Sequence, residues 1–361
     1  MATLLSQTTT GRTLLNLTSF IISNYTTLTT DEKLINLNGI SAPVKLSYSD
    51  GESQTQALFF EAQGKRSGTV IISWGIGASA ENIRLIFRIA ENFRNSNVNV
   101  LFPLPKVLVY EDVVTHEGIR SYVNAFKFLE KSGLVESQKI GFVGFCAGGS
   151  FVLMAAQDRE IASRVAFVSS LAPYNNMRDF FVETISETAF EDSKKRAWQP
   201  HKDTRKLMLK NLLVRMPNGN DREILSEIFL EARQENPDDL KRLTPQGQYV
   251  FEILKNPNFQ NVKEKLSGIP GSILKDMDEL SPQQIPENQK NHTFIIHDFD
   301  DPFTPIEESD RLARKLGPNA SFAKTTAFDH TILDKEIAFG KLFEDLSRVL
   351  GQYFEIFLKL N

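Results

Sequence analysis

Cys146 is the only cysteine among the 361 residues, and small residues surround it in the run GFCAGG (residues 144–149). The run lies where a buried apolar segment, KIGFVGF, passes directly into a segment with helical spacing, AGGSFVLMAAQD. A nucleophile on such a strand-to-helix turn, called the elbow below, needs small residues two positions away, here Gly144 and Gly148, so that neighbouring backbones can approach. The pattern predicts a nucleophilic thiol, whose thiolate the helix N-terminus favours. The alternative reading of a lone cysteine is a small buried core residue.

The elements around the elbow alternate in type. Short apolar runs, GTVIISW, NVNVLFP, KIGFVGF, RVAFVSSLAP, TFIIHD and SFAKTTAF, read as strands, and amphipathic stretches between them read as helices. KLINL, APVKLSY and ALFFEA, which come first, read as antiparallel strands. Strands that alternate with helices predict an α/β fold with a mostly parallel, doubly wound sheet covered on both faces.

The alternation stops between Tyr174 and Glu287, where helical spacing dominates and strand-like runs are few. We therefore expect a helical cap (174–287) inserted into one core domain (33–173 and 288–361), preceded by an N-terminal extension (1–32). Within the extension, apolar residues at 12–23 fall near helical spacing, so association with a membrane surface is an alternative role for it.

Composition excludes several functions. The formal net charge of −4 comes with interspersed charges and no basic stripe, which argues against nucleic acid as a partner. A single cysteine cannot form an intramolecular disulfide, and neither a signal peptide nor a membrane span is evident, so we expect a cytoplasmic protein without stable membrane insertion. No spacing typical of a metal site is present, and no cofactor is implied. The oligomeric state is left open.

The order strand, elbow, helix, strand, cap, strand, acid, histidine resembles the α/β-hydrolase superfamily. The run GFCAGGS is similar to the elbows of dienelactone hydrolases and polyhydroxyalkanoate synthases, both of which use cysteine. The resemblance covers about residues 55–174 and 288–361 and leaves the cap unmatched.

The resemblance implies the remaining members of a catalytic triad. The run DFDDPFTP (298–305) is similar to the superfamily segment that carries the acid, which implies Asp301, with Asp300 as the fallback and Asp298 where glycine is usual. His330, in AFDHTILD, stands where the catalytic histidine belongs. It would act as general base and acid, and Asp301 would fix its tautomer. The other reading of these aspartates is turn formation or helix capping.

An oxyanion hole would need two backbone donors. Ala147 N–H directly follows the nucleophile, and Ile76 N–H lies in Trp74-Gly75-Ile76-Gly77, a run similar to the superfamily's H-G-x-G. A glycine-rich turn after a strand could also hold phosphate, but this one lacks a P-loop lysine. Of the other histidines, we expect His116 and His201 at the surface and His297 supporting the acid loop from its strand.

The residues together predict a hydrolase that cleaves an ester, lactone or thioester through an acyl-cysteine intermediate. An acyltransferase that passes the acyl group to another acceptor is the close rival, and a polymerase similar to polyhydroxyalkanoate synthase or a catalytically silent binding protein are further alternatives. Apolar residues and Tyr249 on the cap helices are compatible with a small apolar acyl or aromatic substrate, although helix packing needs the same pattern. The sequence does not identify the acyl group.

Overall fold

The computed structural model describes residues 8–29, 43–50, 53–62, 68–76, 80–135, 139–286, 289–326 and 339–361. Among the sequence features named above, KLINL, Gly77 and His330 lie outside the described residues.

Eight of the ten described strands form one mixed sheet in the order β1-β2-β4-β3-β5-β6-β9-β10. β2 is antiparallel to both of its neighbours, and the other neighbouring pairs are parallel. The strands are β1 Val44–Asp50, β2 Ser53–Phe60, β3 Gly68–Ser73, β4 Val98–Leu104, β5 Ile140–Phe145, β6 Val165–Leu171, β7 Thr188–Glu191, β8 Lys194–Ala197, β9 Thr293–Asp298 and β10 Ala320–Thr325.

Helices follow most strands, as the alternating pattern predicts. They are α1 Thr9–Thr29, α2 Ala80–Asn95, α3 Lys106–Val109, α4 His116–Ser132, α5 Ala147–Ala155, α6 Met177–Ser186, α7 Lys202–Leu213, α8 Gly219–Phe229, α9 Pro237–Arg242, α10 Pro245–Lys255, α11 Phe259–Lys265, α12 Gly271–Glu279, α13 Ile306–Leu316 and α14 Phe339–Leu360. None of the helices in the described part of the chain is both long and apolar enough to cross a bilayer.

Two hydrophobic clusters lie on opposite faces of the sheet. Successive side chains of a strand point to opposite faces, so Ile71 of β3 joins one cluster while Val70 and Ile72 join the other. All three are fully buried. Burial on both faces explains why the central strands read as continuous apolar runs in the sequence.

The chain between β6 and β9 is mainly helical, as predicted, and its apolar residues share a hydrophobic cluster with α4, α5 and one face of the sheet. The expectation of few strands missed a two-stranded antiparallel hairpin, β7–β8. All four residues of β8 are exposed and three of them are Lys or Arg, so the strand has no apolar alternation for a pattern to detect. The boundaries of the cap stay a prediction.

α1 shows that the N-terminal extension forms a helix that packs against α2 and α14. Thr13, Asn16 and Leu17 are buried. The Asn16 amide donates to Asn361 Oδ1 at 3.1 Å and its Oδ1 accepts from Asn97 Nδ2 at 3.2 Å. These buried side chains of α1 therefore face the protein.

Candidate active site

Cys146 lies on a tight turn between β5 and α5. It has φ 53° and ψ −131°, a strained combination for a residue with a Cβ, and α5 begins at the next residue, Ala147. Its N–H donates to Leu171 O at 2.8 Å, and its carbonyl accepts from Gly149 N at 2.9 Å. The side chain is partly exposed. The backbone thus holds the thiol at the carboxyl edge of the sheet and at the N-terminus of a helix.

The two elbow glycines are required by close backbone contacts. A Cβ at Gly144 would lie 2.4 Å from Gly148 O. A Cβ at Gly148 would lie 2.5 Å from Ser73 O and 2.6 Å from Gly75 N. Because all of these are backbone atoms, no side-chain rotation relieves the overlap.

The loop after β3 comes directly against the elbow, where the predicted oxyanion donors would need to be. Gly75 has φ 112°, and a Cβ there would lie 3.0 Å from Gly148 N and 3.7 Å from Ala147 Cβ. Ile76 is partly buried and follows in the same loop. The structure brings the two predicted donors, Ala147 and Ile76, to neighbouring segments, and their role as an oxyanion hole stays a prediction.

Asp301 is buried in the loop between β9 and α13, called the acid loop (residues 299–304) below. Its Oδ1 accepts from Phe303 N at 2.7 Å and from Thr304 N at 3.0 Å, which closes an Asx turn. Its Oδ2 lies 3.5 Å from His297 Nε2. The carboxylate therefore organises the loop, and a catalytic role would be additional to that.

The neighbouring carboxylates, Asp298 and Asp300, make contacts that differ from those of Asp301, and of the two only Asp300 is exposed. Asp298, at the end of β9, is 3 % exposed and its Oδ1 accepts from Asp300 N at 2.9 Å, the turn-forming contact expected of it. Asp300 is exposed. Of Asp300 and Asp301, only Asp301 has a side chain inside the protein, which favours it as the acid.

His297 supports the acid loop from β9, as predicted. Its Nε2 lies 3.0 Å from Thr304 O, and its Nδ1 lies 2.7 Å from Ser309 Oγ. Because both ring nitrogens are engaged and the ring is buried, His297 is a structural residue of the loop. His116 is exposed and pairs with Glu279, as expected of a surface residue.

The elbow and the acid loop meet at Thr304. Its hydroxyl oxygen lies 3.9 Å from Cys146 Sγ, and its N–H is one of the two that hold the Asp301 carboxylate. The structure thus brings two members of the predicted triad to either side of one residue. The third, His330, lies outside the described residues, so the triad as a whole stays a prediction.

Sequence reasoning missed the residues between β6 and β9 that contact the acid loop. His201 is partly exposed, as expected of a surface residue, but its ring also stacks on Phe303 with centroids 4.5 Å apart, and its main-chain N–H donates to Pro302 O at 2.6 Å. Trp198 Nε1 donates to Asp301 O at 2.8 Å. A buried tryptophan needs a partner for its N–H, but the sequence does not reveal which partner.

A buried charge cluster joins the segment between β6 and β9 to α13, directly after the acid loop. Glu308 accepts from Asn175 N at 2.5 Å, and Arg311 contacts both Glu308 and Glu183, the latter at 3.0 Å. Burial is the main cause that raises the pKa of Glu183 well above its ordinary value, and the charge of Glu308 is the second. Burial alone would lower the Arg311 pKa, but the two glutamates outweigh it and raise the pKa.

An apolar cavity of about 90 Å³ lies beside the Gly75 loop. Trp74 and Gly75 line it together with residues of β2, α2 and β4 and with Tyr110 and Tyr122. Trp74 packs against Phe145, the residue before Cys146, with ring centroids 5.6 Å apart. Among the described residues, no group of three or more His, Cys, Asp or Glu is arranged to hold a metal ion.

Residues 107–201 match the profile of the dienelactone hydrolase family. The match contains β5, the elbow, Cys146 and Trp198, and it ends before Asp301. The sheet order and the helices on both faces also match solved structures. The chain has the α/β-hydrolase fold.

Three solved structures illustrate the likeness. Puromycin hydrolase has a TM-score of 0.51 at 10 % identity, over 88 % of this chain and 39 % of its own. A putative dipeptidyl aminopeptidase IV from Bacteroides ovatus has 0.50 at 11 %, over 88 % and 36 %. Acylaminoacyl peptidase from Pyrococcus horikoshii has 0.47 at 10 %, over 90 % and 42 %. This chain spans about two fifths of the length of these structures. No curated protein sequence matches it.

Proposed function

We propose that the protein is a hydrolase that cleaves an ester, lactone or thioester through an acyl-cysteine intermediate on Cys146. The observation that carries the proposal is the strained, partly exposed Cys146 on the elbow. The dienelactone hydrolase match supports an enzyme that acts on ester or amide bonds, and it includes this elbow.

The proposed reaction has two halves. His330 takes the thiol proton, Cys146 Sγ attacks the carbonyl carbon, and the carbonyl electrons move to an oxyanion that Ala147 N–H and Ile76 N–H stabilise. Collapse of the oxyanion breaks the bond to the leaving group, which His330 protonates. Water, deprotonated by His330, then attacks the acyl-cysteine and releases the acid, and the proton returns to Cys146 Sγ. Asp301 stabilises the imidazolium in both halves.

The apolar cavity supports an apolar acyl or aromatic group as the part of the substrate next to the scissile carbonyl. It lies beside the loop that carries Ile76, at the carboxyl edge of the parallel strands, where open α/β sheets bind ligands.

Burst kinetics with p-nitrophenyl esters of short acids test the proposal. Wild-type protein should release p-nitrophenol in a rapid burst of about one equivalent per chain and then turn over more slowly. Cys146→Ala should show neither phase above the rate of free ester hydrolysis. Turnover that survives in Cys146→Ala would overturn the cysteine mechanism, and no turnover in the wild-type protein would favour a silent binding protein.

Transfer to a second substrate remains the rival, because an acyl-cysteine is a competent donor to alcohols, amines and thiols. Adding each class of acceptor to the ester assay separates the two functions. A hydrolase should keep the free acid as the main product, and an acyltransferase should form mainly the new ester, amide or thioester.

A further inference from the structure

Four successive main-chain carbonyls of the acid loop, residues 301–304, are each hydrogen-bonded by a group outside the loop. Two of them, the Pro302 and Phe303 carbonyls, belong to the peptide groups whose N–H donates to the Asp301 carboxylate, and another is the main-chain carbonyl of Asp301 itself. Their partners, in loop order, are Trp198 Nε1 at 2.8 Å, His201 N at 2.6 Å, Thr204 Oγ1 at 3.4 Å and His297 Nε2 at 3.0 Å.

Three of these four partners belong to one short segment of the insertion, residues 198–204, which follows β8 and ends in the first turn of α7. His201 also stacks on Phe303. Trp198 is 6 % exposed, so its indole N–H would lose water without gaining a partner if the bond to Asp301 O were absent. Leaving a buried donor unsatisfied costs about 1–3 kcal/mol, and this cost favours the hydrogen bond from Trp198 to Asp301 O.

Peptide planarity connects this segment to the Asp301 carboxylate. The Pro302 carbonyl and the Phe303 N–H belong to one planar group, and His201 holds the first while Asp301 Oδ1 accepts from the second. The next peptide group has the same arrangement: Thr204 holds the Phe303 carbonyl, and Thr304 N–H donates to Asp301 Oδ1. The segment therefore orients both N–H groups that fix the carboxylate.

We propose that residues 198–204 position Asp301, so that the insertion is part of the catalytic apparatus and not only a cover over it. Trp198 and Thr204 are positioning residues, and neither has to touch the substrate. The inference rests on the proposed function, because it requires Asp301 to act as the acid of that site.

Trp198→Phe tests the inference, because it removes the indole N–H and keeps an aromatic ring. With the p-nitrophenyl ester, kcat should fall about tenfold while KM stays within about twofold, because the carboxylate and not the substrate site is displaced. Asn211→Ala is the matched control: Asn211 also bonds the insertion to the core, at Asp112 O and Val114 N, and it does not touch the acid loop. Its kcat should stay near the wild-type value.

The same substitution in an Asp301→Asn background separates positioning from general loosening. If Trp198 acts through the Asp301 carboxylate, adding Trp198→Phe to Asp301→Asn should change kcat less than twofold. An equal loss in both backgrounds, or no loss in the wild-type background, would overturn the inference. If Trp198→Phe does not fold, Thr204→Val replaces it in both backgrounds, because it removes the hydroxyl that bonds Phe303 O. Thr204→Ser keeps that hydroxyl and should retain the wild-type kcat.

Failure of the proposed function has a different signature. It would be seen as wild-type protein without ester turnover, or as turnover that persists in Cys146→Ala. In either case, hydrogen exchange at the Phe303 and Thr304 amides still measures the positioning: exchange should be faster in Trp198→Phe than in wild type and Asn211→Ala. Unchanged exchange would contradict the inference whatever the activity.

Discussion

The elbow that carries Cys146 and the loop that carries Asp301 meet at Thr304, but they are held by different kinds of contacts. The elbow is fixed by close backbone packing among the ends of β3 and β5, the loop after β3 and the first turn of α5, with glycines at the points of closest approach. The acid loop is fixed by hydrogen bonds that come largely from residues 198–204, about a hundred positions earlier in the chain.

The two halves of the candidate site are therefore held in place by different parts of the chain. Substitutions at the elbow should mainly lower the free energy of unfolding, because the elbow packs against the central sheet. Changes at the acid loop should mainly lower kcat, because most of the hydrogen bonds that reach the loop from outside it come from residues 198–204 and not from the central sheet. The predictions below test this contrast, from the largest expected effect to the smallest.

Replacing Asp301 with asparagine should give the largest effect on activity. Asparagine keeps an oxygen for the N–H groups of Phe303 and Thr304, so the loop can persist, but the charge that stabilises the imidazolium is lost. We expect kcat for ester hydrolysis to fall about 10³- to 10⁴-fold. Steady-state kinetics of Asp301→Asn and Asp300→Asn compare the two candidates directly. A larger loss in Asp300→Asn, whose side chain is exposed, would reverse the assignment.

Adding a single methyl group at the elbow should mainly affect stability. The Cβ of Gly148→Ala would overlap the backbone of the Gly75 loop, and overpacking of this kind costs about 1–3 kcal/mol or more. Urea unfolding measures the change in the free energy of unfolding. Gly271→Ala is the control, because its Cβ meets nothing within 4 Å, and it should be neutral or slightly stabilising. Equal effects in the two variants would show that the elbow is not tightly packed.

The charge cluster beyond the acid loop should make stability depend on pH. Because the pKa of Glu183 is raised, folded protein holds more protons than unfolded protein at pH values above the ordinary glutamate value of 4.5 and up to the raised one. Stability should therefore fall as pH rises through that window, and the contribution is fully present only below it. The other charges at Glu183 are Glu308 and Arg311 on α13.

Glu183→Gln should flatten this slope and raise stability at the alkaline end, since a buried charge no longer has to form. Urea unfolding between pH 5 and 9 measures it, with Glu279→Gln, whose side chain is half exposed, as the control. Identical slopes in wild type and Glu183→Gln would exclude Glu183 as the titrating group.

The sequence was a good guide to the elbow and a partial guide to the acid loop. Local pattern was enough for the strand, turn and helix around Cys146, because the glycine spacing and the apolar runs report contacts between adjacent elements. The loop of Asp301 was predicted from a resemblance. Three aspartates lie close together in that run, and the sequence does not show which of them is buried. Trp198, His201 and Thr204 could not be assigned to the loop because their partners are distant in sequence, and no periodicity encodes such pairings.

The strand pair β7–β8 was missed for a related reason. Its second strand is charged and exposed, so its pairing depends on backbone hydrogen bonds and a tight turn and not on an apolar face. The segment that follows the hairpin, residues 198–204, reaches the acid loop through contacts that are distant in sequence.

Mapping of the acyl group by mass spectrometry tests the central claim most directly. Protein incubated with a p-nitrophenyl ester, quenched in acid during the burst and digested, should carry one acyl group per chain on the peptide that contains Cys146. Neutral hydroxylamine should remove the group, as expected of a thioester, and Cys146→Ala should carry none. An acyl group on another residue, or one that persists in Cys146→Ala, would contradict the account.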